Sequence, residues 1–144
     1  MGLKSVLVVI MFVSIFMLAI NARAEAFPAG ARWSDASGNE VQVLGGRPAG
    51  CPHAWCGCWL RQYLNVQDKS LNLARQWRTF GAPAGGPAVG VIVVWHHHVG
   101  IITGRGADGG WIIKSGNDGR VVRERERSLR GAIAFRWPSA WAMR

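Results

Sequence analysis

Acidic residues are scarce in this chain. Eight Asp and Glu stand against seventeen Lys and Arg in 144 residues, a formal charge of +9. A balance so far from neutral favours anionic partners. Lysine is scarce as well: fourteen of the seventeen basic residues are Arg, whose planar donors suit carboxylates and phosphates. Long apolar runs are limited to one, Val6 to Ile20, and its 15 residues fall short of the roughly 20 needed to span a bilayer. With Lys4 before it and Ala22-Arg23-Ala24 after it, the run predicts a signal peptide over 1–24, cleaved after Ala24, rather than a stable membrane anchor. Cleavage removes Lys4 and Arg23, so 15 basic and 8 acidic residues leave a mature charge of +7. No repeat or linker interrupts the rest, which is the size of one domain with a single core.

Cysteine is sparse and odd in number: Cys51, Cys56 and Cys58. An exported chain meets an oxidising compartment that pairs two and leaves one. Two cysteines two positions apart on a helix point to nearly opposite sides, so Cys56 and Cys58 cannot bond each other there. Cys51 is then the partner of one of them. Pairing with Cys58 leaves Cys56 free, and pairing with Cys56 removes its thiol from any chemistry.

Residues 25–50 are rich in Gly, Ala and Pro and read as a leader segment wrapping the domain, with a short strand at Glu40 to Leu44. Residues 51–144 form the domain itself. The apolar spacing of Trp59, Leu60, Tyr63 and Leu64 predicts a helix from about Ala54 to Asn65, with Cys56 in its first turn. A second helix is expected from Leu71 to Phe80, capped by Ser70, facing Leu73, Trp77 and Phe80 inward and ending at Gly81. The period then changes, and strands are expected at Val91 to Trp95, Val99 to Thr103, Trp111 to Ser115, Arg120 to Arg127 and Ala132 to Trp137. Helices followed by an antiparallel meander make an α+β domain.

The hairpin between the second and third of these strands relates two polar residues. A two-residue turn centred on Ala107-Asp108 sets position 98 opposite position 117. His98 and Asn117 then share a face, at a distance where an imidazole meets a side-chain amide. Cys56, His98 and Asn117 are therefore the candidate catalytic residues. A helix's first turn lowers a cysteine pKa, a histidine beside the sulfur serves as acid and base, and a polar third residue orients the ring. The backbone N–H of Cys56 is a candidate oxyanion donor, with His53 as a tentative second group and Trp55 as the wall of the substrate cleft.

Trp55-Cys56 at a helix start, the strand Gly90 to Trp95 leading into His98-Val99-Gly100-Ile101-Ile102, and Gly116-Asn117 before another strand together resemble the CHAP and NlpC-type cysteine peptidases and amidases. The likeness covers Cys51 to Pro138. It implies a papain-like fold and cleavage of amide bonds in peptidoglycan peptides, with Cys56 as nucleophile, His98 as base and Asn117 as the polar third residue.

Other readings compete. A noncatalytic wall-binding module of the same fold accounts for the same pattern. His96 to His98 raise a metal site, but His97 points away from its neighbours on a strand, no four-ligand set emerges, and neither metal nor cofactor is expected. Cys56-Gly57-Cys58 lacks the two intervening residues of a thioredoxin-like motif. The alternating run Arg123-Glu124-Arg125-Glu126-Arg127 reads as a solvated edge strand rather than a nucleic-acid patch. The expectation is a periplasmic or secreted monomer whose partner is peptidoglycan. No nucleic-acid partner is expected, and an immunity protein is left open.

Overall fold

The computed structural model describes residues 32–34 and 40–138. The expected signal peptide, and residues 25–31 and 35–39 of the leader, lie outside them. Among the described residues eight strands form one sheet: β1 (Arg32–Ser34), β2 (Glu40–Gly45), β3 (Ala82–Pro83), β4 (Ile92–Val94), β5 (Val99–Arg105), β6 (Trp111–Asp118), β7 (Val121–Arg127) and β8 (Ala134–Trp137). Their spatial order is β1-β2-β7-β6-β5-β4-β8-β3, with every pairing antiparallel. The predicted meander is present as β4 to β7. The leader does more than wrap the domain: its strand at Glu40–Gly45 pairs with β7, and β1 adds beyond it.

Among the described residues one α-helix, α1 (Cys56–Tyr63), packs on this sheet. The core between them holds Trp59, Leu60, Ile92, Val94, Val99 and Ile101. A second cluster of Val91, Val93, Ile102 and Ile113 follows from strand alternation, since odd and even positions on β4 point to opposite faces. Two glycines allow close approach. A Cβ at Gly116 on β6 would lie 2.5 Å from the Trp59 Cβ, and one at Gly57 on α1 would lie 2.5 Å from the carbonyl oxygens of Leu71 and Asn72. Any side chain at either position would push α1 away from its neighbour.

The second helix expected at Leu71 to Phe80 is replaced by two 3₁₀ turns, Lys69–Asn72 and Ala74–Thr79, separated by Leu73 in an extended conformation (φ −87°, ψ 122°). Asp68, not Ser70, caps the first, accepting from the Ser70 N–H. Tertiary bonds hold this segment away from α-helical pairing. The Trp77 indole N–H donates to the Leu71 carbonyl at 2.7 Å, and Arg61 Nε donates to the Asn72 side chain at 2.9 Å. Leu73, expected inside, is 55 % exposed, whereas Trp77 is fully buried; truncating such a tryptophan costs about 3–5 kcal/mol. Arg136 on β8 closes the segment by donating to the carbonyls of Phe80 and Gly81, each at 2.7 Å.

The charged run Arg123 to Arg127 is not an edge strand. It forms most of β7, which lies between β2 and β6. Alternation sends Glu124 to the face of Lys114, with which it makes an ion pair at 3.4 Å, and sends Arg125 to the other face, onto Asp118.

Candidate functional site

Cys56 is the first residue of α1, with Trp55 at the cap position and no side chain capping the helix. The first-turn N–H groups are therefore left to the sulfur. Cys51 and Cys58 are joined by a disulfide, and Cys56 is the free cysteine. This is the pairing that leaves a thiol available, and it ties the loop before α1 to the helix's third residue.

The Cys56 sulfur lies against the chain that carries His98. Its thiol donates to the His97 carbonyl at 3.8 Å, and the Val99 N–H reaches it from the other side of His98. His98 ends the short connection from β4 to β5, where the Trp95 N–H donates to the His98 carbonyl at 2.8 Å. The imidazole stands beside the Trp95 indole, centroids 5.9 Å apart, and its Nε2 is hydrogen-bonded to Ser115 Oγ at 3.0 Å.

The expected register is present where it meets the site. Ile101 pairs with Lys114 and Ile102 with Ile113, the alignment that carries position 98 to position 117. The turn is not the two-residue one: a bulge between Ile102 and Gly104 shifts the outer part of the hairpin by one, and residues 106–110 close it. Asn117 nevertheless makes no hydrogen bond to His98. The β6 to β7 register breaks between Ser115 and Asp118, and Asn117 sits in this break with a left-handed backbone (φ 57°). Ser115, two residues earlier and so on the same face before the break, takes the imidazole instead. Parity alone could have found it, because Ser115 satisfies the same alternation that selected Asn117.

The remaining neighbours of His98 are charged. Arg125 donates to Asp118 through Nε at 2.8 Å and Nη2 at 3.0 Å, and Arg127 Nη1 lies 3.4 Å from the same carboxylate. Burial pushes the Asp118 pKa up, but the Arg125 hydrogen bonds and the charges of both arginines outweigh it and leave it lowered. Two guanidinium groups share one carboxylate, so the cluster carries one net positive charge. None of this was derived from the sequence, where Arg125 and Arg127 belonged to a solvated strand.

The electrostatics correct one expectation. Burial pushes the Cys56 thiol above its ordinary 9.0, outweighing the N–H groups of Gly57, Val99 and Cys56 itself and the charge of Arg127. Burial also lowers His98 from 6.5 to about 4, assisted by Arg127 and Arg125 and opposed by Asp118. A desolvated site disfavours both charged forms. At neutral pH the site therefore holds a neutral thiol and a neutral imidazole, not an ion pair.

Two clefts flank the pair. Cys56 lines one of about 230 Å³ with Asn72, Ala74 and Arg75. His98 lines a more open groove of about 720 Å³ with Trp95, Arg127 and Arg130, and His96 and His97 border both. The proposed cleft residues do not fall here. Trp55 is buried, 3 % exposed, against the position of Gly116, and exposed His53 is not among the residues lining either cleft. Among the described residues no group of three or more His, Cys, Asp or Glu is placed to hold a metal ion, and no helix is long and apolar enough to cross a membrane. No family model, no curated protein and no solved structure matches the chain.

Proposed function

We propose that the protein is an exported cysteine hydrolase of papain-like arrangement that cleaves amide bonds in peptidoglycan peptides. The observation that carries this reading is the free Cys56 at the start of α1, set against residues 97–99 while His98 is held by Ser115. The other two cysteines are consumed by the disulfide, a bond that persists in oxidising compartments and supports a periplasmic or secreted location. A surface of mature charge +7 favours the carboxylates of a cell wall.

The charge states dictate the order of events. In the tautomer whose Nε2–H donates to Ser115 Oγ, the Nδ1 lone pair is left to accept a proton. The thiol proton, directed at the His97 carbonyl at rest, passes to the neighbouring His98 as the sulfur attacks the carbonyl carbon, so thiolate forms only during attack. The N–H groups of Cys56 and Gly57 serve the developing oxyanion. The imidazolium then gives its proton to the leaving amine, the C–N bond breaks, and water admitted to the site hydrolyses the thioester. Ser115 fills the orienting role expected of Asn117.

A second reading draws on the same electrostatics: a buried thiol raised above its ordinary value and a lowered imidazole favour a noncatalytic wall-binding module of this fold. Digestion of purified peptidoglycan by the parent and by Cys56→Ala, with products identified by mass, separates the two. The hydrolase releases peptides with new amine and carboxyl ends only when Cys56 is present. Release by both proteins, or by neither, overturns it.

A further inference from the structure

We infer that the groove on the His98 side is a carboxylate-binding subsite, with Arg130 as its principal contact and Arg127 behind it. On the hydrolase reading, the amine that leaves is the part of the substrate protonated by His98. The groove lined by His98 therefore receives that part. Among the described residues no acidic side chain lines this groove, whereas Arg127, Arg130, His96 and His97 do.

The two arginines differ in readiness. Arg127 is held in place by Asp118 and by the Trp95 ring, 5.2 Å from its guanidinium. Arg130 makes no ion pair with a described residue, yet its backbone is pinned on both sides. Its carbonyl accepts from the Trp95 indole N–H at 3.1 Å, and its N–H donates to Ser128 Oγ at 3.2 Å. A pinned backbone carrying a guanidinium that no described residue pairs suits two-point recognition of a carboxylate. Arg75 lies on the Cys56 side and serves as the control for charge alone. The selected substrate carries a free carboxylate on the residue whose amine is released.

The test uses Cys56→Ala protein and a matched pair of probes: a synthetic peptidoglycan stem tetrapeptide with its diamino-acid and C-terminal carboxylates free, and the same peptide with both amidated. Calorimetry should show the free acid bound roughly tenfold more tightly, the size of one charge-assisted pair. Adding Arg130→Gln should remove that preference, while adding Arg75→Gln should keep it. Equal binding of the two probes, or a preference that survives Arg130→Gln, overturns the subsite. A preference lost with Arg130, in a protein whose parent cleaves neither probe, upholds the subsite and removes the hydrolase reading. The two ideas therefore fail separately.

Discussion

The two halves of the site are built from different materials. Cys56 is surrounded by backbone: the N–H groups of its own turn, the Val99 N–H and the His97 carbonyl. His98 is surrounded by side chains, with Ser115 bonded to its ring and Asp118, Arg125 and Arg127 setting its charge. Backbone donors persist through most substitutions, whereas a side-chain environment can be rewritten one residue at a time. The surroundings of Cys56 should resist mutation, and those of His98 should not.

The sharpest contrast is in the pH response of the thiol. A Cys56 titrating above its ordinary value has no ion-pair plateau, so its alkylation by iodoacetamide should rise about a hundredfold between pH 7 and pH 9, following the thiolate fraction. A rate flat from pH 5 upward would mean that the thiolate is already formed and that the neutral pair is wrong.

Asp118→Asn attacks the other half. It leaves Arg125 and Arg127 facing one another without their shared carboxylate and should cost about 2–3 kcal/mol in denaturant unfolding, below the range for fully buried pairs because both arginines are partly exposed. An unchanged midpoint would reduce the cluster to a surface ion pair.

His98 itself gives a stability slope. The unfolded chain takes up a proton near 6.5 and the folded chain only near 4, so stability is full above 6.5 and is lost as the pH falls from 6.5 toward 4. The loss should reach about 3 kcal/mol. His98→Gln should flatten that window. Asp118, lowered when folded, adds its own loss only below its unfolded 3.8. A slope between pH 6.5 and 4 that persists in His98→Gln would assign it elsewhere.

Ser115→Ala is the mildest change. It removes one neutral hydrogen bond from the imidazole and should lower kcat by roughly tenfold with little change in KM, the mark of an orienting contact. Asn117→Ala should leave kcat near that of the parent. The reverse result would restore Asn117 to the place the sequence proposed for it.

Sequence reasoning reached the backbone half more completely than the side-chain half. The start of α1 followed from apolar spacing, and helix geometry alone excluded a Cys56 to Cys58 bond. The register joining positions 98 and 117 followed from a turn that is not there, rescued because a bulge at Ile102 and Gly104 compensates for the longer loop. Asn117 was misplaced because a left-handed residue at a second bulge breaks the alternation on which its selection depended. Arg123 to Arg127 were misread because sheet order, not local pattern, decides whether a charged strand is an edge. The Leu71 to Phe80 helix was lost to tertiary hydrogen bonds from Trp77 and Arg61, which helical spacing does not encode.

Covalent catalysis by Cys56 has one direct test. Peptidoglycan digested in the presence of hydroxylamine should yield acyl hydroxamates alongside free acids, because a thioester on Cys56 is intercepted by the added nucleophile, and Cys56→Ala should yield neither product. Free acids without any hydroxamate, or hydroxamates formed equally by Cys56→Ala, would contradict a cysteine nucleophile.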